Sequence, residues 1–267
     1  MIRLIVTDVD GTIVGKDEVL CEEMVEFVED LRRQGIDYTL ATGRVEELVR
    51  PYVERLGICL PYAACNGGTI ACRGKILERK TIPLRPLRRL IETADEMDMS
   101  VLYSVDGREM ALRETDYVRE QQIRYGRYLE PVPIQGEQWE SLRVEKVIVM
   151  AKVRDGSIGA IETLCRQLAP AIGYKRYADK AIDILSPEAL KENGVRNLAR
   201  RLGLGMDQVL FVGDDLNDVA SLREAGIGVA VANAQECAKE AADYVAAGCC
   251  YKGVIEAVEK FVLRREQ

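Results

Sequence analysis

Four aspartates define the chemistry open to this chain. Asp8 and Asp10 stand in Asp8-Val9-Asp10-Gly11-Thr12, directly after the apolar run Ile2-Arg3-Leu4-Ile5-Val6-Thr7. Asp214 and Asp218 stand in Gly213-Asp214-Asp215-Leu216-Asn217-Asp218, after Val209-Leu210-Phe211-Val212. Both apolar runs read as buried strands, and the carboxyl ends of such strands are where open α/β sheets place their ligands. If the two strands are neighbours, their tips bring several carboxyl oxygens to one point. Such a cluster repels itself and drives its own pKa values up unless a cation sits within it. An all-oxygen site suits a hard divalent ion, and Mg2+ is the usual occupant where phosphates are handled.

A carboxylate is a usable nucleophile at neutral pH, because its ordinary pKa near ~3.9 leaves it ionised without help from a base. A phosphorus centre is the natural target, provided a metal and a cation screen the repulsion between the two anions. A second carboxyl group two residues on suits the protonation of a leaving alkoxide and the later activation of water. An EF-hand calcium loop is excluded by spacing, since Gly11 comes too early and the twelfth position of such a loop would be Val19.

The rest of the composition narrows the alternatives. The chain has no histidine, which removes Ser-His-Asp triads, Cys-His pairs and histidine-based metal sites. Neither G-x-x-x-x-G-K-[ST] nor G-x-G-x-x-G occurs, which disfavours P-loop and dinucleotide-binding readings. A net charge of −7 without a basic run argues against nucleic acid or an anionic membrane surface as partner. The eight cysteines are irregularly spaced with no C-x-x-C pair, and read as reduced, mostly buried small residues. Met1-Ile2-Arg3 leads straight into a strand and leaves no room for a signal peptide, so a cytoplasmic location is expected.

The elements that must position these residues alternate at both ends of the chain. After the first strand, Val19, Leu20, Met24, Phe27, Val28 and Leu31 recur at helical spacing up to Gly35. A second strand over Ile36-Ala41 ends at Thr42-Gly43-Arg44. A helix over Val45-Leu56, a short strand before Asn66-Gly67-Gly68 and a hairpin turning at Arg73-Gly74 follow. From Pro83 the pattern changes to hairpins and helices. These include a helix over Leu87–Met97, a turn at Asp106-Gly107, a strand over Val144–Met150, a helix over Ile158–Leu168 and a last hairpin turning at Asp179-Lys180. This mixture predicts an antiparallel α+β module. Strand-helix alternation then resumes, with helices expected from Glu188 and from Asn217. The expected fold class is therefore α/β, a Rossmann-like parallel-sheet core over 1–83 and 187–267 with an α+β cap inserted over 84–186.

With these residues in place the chain resembles the haloacid dehalogenase superfamily of phosphatases, and within it the Cof-type, subclass IIB members. Asp8-Val9-Asp10-Gly11-Thr12 resembles its first motif, Thr42-Gly43-Arg44 its second and Gly213-Asp214-Asp215-Leu216-Asn217-Asp218 its fourth. Lys191 is placed like the lysine of the third, although Glu192 stands where the family commonly has glycine. Asn66-Gly67-Gly68 and Gly228–Ala234 also resemble stretches of that subclass. The resemblance implies Asp8 as nucleophile and metal ligand, and Asp10 as general acid/base that lends its backbone carbonyl to the metal. It implies Asp214 and Asp218 as further ligands of Mg2+ or its waters. Thr42, the Gly43 amide, Lys191 and Asn217 would hold the phosphoryl group or steady Asp8. Asp215 departs from a commoner small residue and is expected to face solvent.

The activity so implied is Mg2+-dependent hydrolysis of a small phosphomonoester through an aspartyl phosphate, with sugar phosphates, pyridoxal phosphate and flavin mononucleotide as candidate substrates. A phosphomutase or phosphotransferase uses the same intermediate, and a non-catalytic phosphate-binding regulator is the remaining alternative. Substrate choice is expected to lie in the insert, with Arg176, Tyr177 and Lys180 of the last hairpin as candidate contacts. Packing of Tyr174 and Tyr177 against the cap sheet is the competing reading of that hairpin.

Overall fold

Every residue of the strand Leu4–Thr7 is buried, as in a strand covered on both faces. In the computed structural model, which describes residues 1–125 and 129–263, this strand pairs in parallel with Asp37–Leu40 on one side and Val209–Gly213 on the other. Ile227–Ala230 and Tyr244–Val245 continue the sheet beyond Val209–Gly213, also in parallel. Leu4 lies opposite Val209 and Thr7 opposite Val212, so Asp8 and Gly213 leave the sheet side by side. The backbone amide of Asp8 still donates to the Val212 carbonyl, at 3.0 Å.

Helices cover this sheet through narrow apolar stripes. Glu22–Arg33 buries Met24, Val28 and Leu31, one face at helical spacing. It ends in a Schellman motif in which the Gly35 amide reaches the Arg32 carbonyl and the Ile36 amide the Leu31 carbonyl, both at 3.0 Å. Gly35 supplies the left-handed φ of 74° that this ending requires. Val19 and Leu20 lie outside the helix, because the chain turns at Glu18 (φ 57°) and the Asp17 carboxylate accepts the Val19 amide.

The chain forms two units, Met1–Glu78 with Leu190–Gln267, and Arg79–Ala189. The division falls a few residues outside the boundaries expected at 83/84 and 186/187. At the second crossing Ser186 draws the Glu188 and Ala189 amides into a turn, so the next helix starts at Lys191 and not at Glu188. Unit two is built on an antiparallel five-stranded sheet in the order Gly173–Tyr177, Ala181–Leu185, Lys146–Met150, Ser100–Val105, Arg108–Ala111. The helices Arg88–Glu96 and Ile158–Leu168 pack on its Val101, Tyr103, Val147, Val149, Ile182 and Ile184 face. The strand expected over Val144–Met150 is interrupted at Glu145, whose buried carboxylate accepts the Gly107 amide at 2.7 Å.

All eight cysteines are free thiols. Only Cys65 and Cys165 are buried, while Cys59 and Cys249 are exposed, so the expectation of mostly buried cysteines does not hold. Among the described residues no helix is long and apolar enough to cross a membrane.

Candidate active site

The tips of the two central strands gather the first and last acidic motifs. One oxygen each from Asp8, Asp214 and Asp218 lie within 4.8 Å of one another. The approach is close because Gly11 turns the first loop with φ 77°, and a Cβ there would sit 2.1 Å from Asp214 Oδ2. Thr12 Oγ1 fastens the same loop by donating to Asp214 Oδ1 at 2.8 Å.

Lys191, the first residue of the helix Lys191–Arg201, is buried at 1% exposure and reaches into this cluster. Its Nζ lies 3.0 Å from Asp8 Oδ2 and 2.6 Å from Asp218 Oδ1. A buried lysine without an anionic partner would neutralise itself, so the carboxylates are what keep it charged. Burial alone would push the Lys191 ammonium down, but Asp218 and Asp8 outweigh that and hold it above its usual range. Asp218 serves a second purpose, since its Oδ2 accepts the amides of Asp214 and Asp215 at 2.9 and 3.0 Å. That closes Gly213–Asp218 as a loop, and it explains why the next helix begins at Val219 and not at Asn217.

The cluster is short of positive charge. Burial raises the Asp8 carboxyl well above the usual range, against the pull of Lys191, and the neighbouring aspartates add to the rise. Asp214 is pushed up to about 7, first by burial and then by Asp218. Asp8 Oδ1 is buried with no hydrogen-bond partner among the described residues. An orphaned carboxylate oxygen amid unsatisfied negative charge fits a hard divalent cation held by Asp8, Asp214 and Asp218.

Asp10 lies apart from this triad. Its half-exposed carboxylate is held in a two-pronged pair by Arg44, with Nε to Oδ2 at 2.8 Å and Nη2 to Oδ1 at 2.5 Å. Arg44 also contacts Glu18 at 3.0 Å and lies 5.0 Å from the centre of the Tyr52 ring. No role for Arg44 was expected beyond its place in Thr42-Gly43-Arg44. Thr42 is fully buried, and its Oγ1 accepts the Arg44 amide at 3.2 Å. Asn217 Nδ2 donates to Asn66 Oδ1 at 3.1 Å, and both side chains lie beside Gly43. Asp215 does not simply face solvent: its Oδ1 accepts Gln235 Nε2 at 2.6 Å. Asn233 ties two backbones together, donating to the Gly11 carbonyl and accepting the Cys250 amide.

The hairpin candidates sit in unit two. Arg176 is committed locally, with Nε on the Ala178 carbonyl and its two Nη atoms on Glu162 and Asp179. Asp179 belongs to the turn itself, whereas Glu162 comes from the helix Ile158–Leu168 and is not visible in the hairpin's own sequence. Tyr174 packs against the apolar cluster under the sheet. Lys180 is exposed and lines a cavity of about 310 Å³ with Ser100, Thr115, Tyr117, Gln121 and Met150.

The haloacid dehalogenase-like hydrolase family matches residues 5–258. A phosphoglycolate phosphatase of Methanopyrus kandleri is 30% identical over 245 residues, covering 92% of this chain and 90% of that one. A 5-amino-6-(5-phospho-D-ribitylamino)uracil phosphatase of Bacillus subtilis is 26% identical over 267 residues, covering 98% and 96%. Among solved structures, a haloacid dehalogenase-like hydrolase from Bacteroides thetaiotaomicron superposes with a TM-score of 0.83 at 24% identity, over 97% of this chain and 99% of its own. The motifs at the strand ends and the match along nearly the whole sequence agree: this chain belongs to the haloacid dehalogenase-like hydrolases.

Proposed function

We propose that the protein is a Mg2+-dependent phosphatase of small phosphomonoesters that works through an aspartyl phosphate on Asp8. The observation that carries this reading is the buried Lys191 ammonium shared by Asp8 and Asp218, with Asp214 alongside. A nucleophilic carboxylate needs such a cation to meet an anionic phosphoryl group. The phosphatases named among the relatives point the same way.

In the first step an Asp8 oxygen attacks phosphorus, the ester P–O bond breaks and Asp10 gives its proton to the departing alkoxide. In the second, Asp10 takes a proton from water as that water attacks phosphorus, and the bond to Asp8 breaks to release inorganic phosphate. Lys191 neutralises charge on the phosphoryl oxygens and fixes the direction of Asp8. Thr42, the Gly43 amide and Asn217 orient the group, and Arg44 fixes the starting position of Asp10. Asp8, Asp214 and Asp218, with the Asp10 backbone carbonyl, would hold Mg2+, which supplies Lewis-acid stabilisation of the phosphoryl charge.

These residues handle only what all phosphomonoesters share, so discrimination falls to groups that reach the alcohol. We assign that task to unit two. Arg176 is occupied by its neighbours, Tyr177 lies on the same strand, and Lys180 is the hairpin cation most accessible to a ligand. A panel of sugar phosphates, pyridoxal phosphate, flavin mononucleotide and phosphoglycolate, assayed for released phosphate with Mg2+, is expected to contain substrates. Lys180→Ala is expected to reorder their kcat/KM values. Absence of phosphate release from every member would overturn the reading, and an unchanged order in the variant would remove Lys180 from it.

A further inference from the structure

We infer that Asn66 is a direct ligand of the transferring phosphoryl group, donating from its side-chain amide to a phosphoryl oxygen. This rests on the phosphatase reading above and extends it to a residue whose turn, judged by sequence, could equally be structural. Three consecutive residues here adopt left-handed φ values, Cys65 at 54°, Asn66 at 52° and Gly67 at 77°. Asparagine tolerates this region better than other side chains, but glycine takes it without strain.

The turn's main chain does the structural work. The Cys65 amide donates to the Arg44 carbonyl at 2.7 Å and the Asn66 amide to the Thr42 carbonyl at 2.9 Å, one on each side of Gly43. Gly67 packs on the first turn of the Lys191 helix so closely that a Cβ would lie 2.6 Å from the Leu190 carbonyl oxygen and 2.7 Å from the Gly194 nitrogen. Asn66 is therefore wedged between the Thr42-Gly43 loop and the helix end that carries Lys191. None of these contacts uses its side chain.

Asn66 is 4% exposed. Its Oδ1 accepts from Asn217, while Asn66 Nδ2 and Asn217 Oδ1 have no partner among the described residues. A Cβ on Gly43 would stand 3.3 Å from Asn66 Oδ1 and 3.7 Å from Asn217 Nδ2, so the amide pair borders the Gly43 loop. With Asn217 Nδ2 donating to Asn66 Oδ1, the NH2 left without an acceptor among the described residues is that of Asn66. Buried donors are satisfied in folded proteins, and leaving one unmet is destabilising. Glycine would serve the backbone here with less strain. A phosphoryl oxygen bound by Thr42, Gly43 and Lys191 is the acceptor that accounts for an amide at this point.

Two variants separate this role from a structural one. Asn66→Gly keeps the left-handed backbone and deletes the amide, and Asn66→Asp keeps the shape but turns the donor into an anionic acceptor. Binding of inorganic phosphate with Mg2+ present is measured by calorimetry, alongside the melting temperature. Asn66→Gly is expected to match the wild-type Tm and to weaken phosphate binding about tenfold, the worth of a charge-assisted hydrogen bond. Asn66→Asp is expected to weaken it by about a hundredfold or more, since repulsion adds to the lost bond. Wild-type affinity in both variants would overturn the inference, as would equal loss in both with a lowered Tm in Asn66→Gly. A wild-type protein that neither binds phosphate nor hydrolyses any ester would fail the underlying phosphatase reading instead.

Discussion

Replacing Asp8 by asparagine is expected to lower phosphate release by on the order of 10⁴-fold or more, the scale seen when a covalent nucleophile is deleted. The amide is nearly the same shape, but its oxygen is a poor nucleophile and carries no charge for Lys191 to direct. The fold should survive, because Asp218 keeps its own contact with Lys191 at 2.6 Å and still holds the Asp214 and Asp215 amides. Burial already makes the ionised form of Asp8 costly, so removing its charge relieves a desolvation penalty that offsets part of the lost contact with Lys191. Phosphate release and thermal melting of Asp8→Asn beside wild type check both halves. Activity above about 1% of wild type in a folded variant would contradict the assignment of the nucleophile.

Stripping divalent metal is the second large effect. Chelation is expected to abolish turnover and to leave a protein whose stability falls as pH rises. The sign follows from the raised carboxyls. Asp214 titrates at about 7 in the fold against 3.8 when unperturbed, so between those values the native state holds a proton that the unfolded chain has released. Unfolding is then favoured by every increase in pH across that window, and stability is lost up to about pH 7. Asp8 shifts in the same direction. The metal-free Tm should drop by several degrees between pH 5 and pH 8, and Mg2+ should restore it at pH 8, because the ion binds the assembled carboxylates and not the unfolded chain. Full turnover after chelation, or a metal-free Tm that rises over this window, would contradict the account.

The parts of this site that were legible in the sequence are those written in consecutive residues. Asp8 and Asp10 follow one apolar run, Asp214 and Asp218 another, and parallel neighbours bring the ends of such runs to one edge. What the sequence could not carry is pairing across long separations. The Arg44–Asp10 pair spans 34 residues and the Asn66–Asn217 contact 151, and no local pattern selects either partner. Lys191 could be placed only by its resemblance to a family motif, since a lysine near a helix start is ordinarily solvated. Side chains competing for backbone amides shifted the element boundaries. Ser186 and Asp218 each delay a helix, and Glu145 breaks a strand by capturing the amide of Gly107. The hairpin at Asp179-Lys180 was correctly located, but the Glu162 that occupies Arg176 lies in a different element.

The most direct measurement is chemical trapping of the phosphorylated enzyme. Asp10→Asn removes the group proposed to activate water, and acetyl phosphate needs no protonated leaving group, so the phosphoryl group should load onto Asp8 and stay there. Borohydride reduction of the denatured protein converts an aspartyl phosphate to homoserine, which mass spectrometry locates in the peptide. The account predicts homoserine at position 8 in Asp10→Asn treated with acetyl phosphate and Mg2+, and none when metal is withheld. Phosphate release by wild type combined with an unmodified Asp8 in the trapped variant would contradict it.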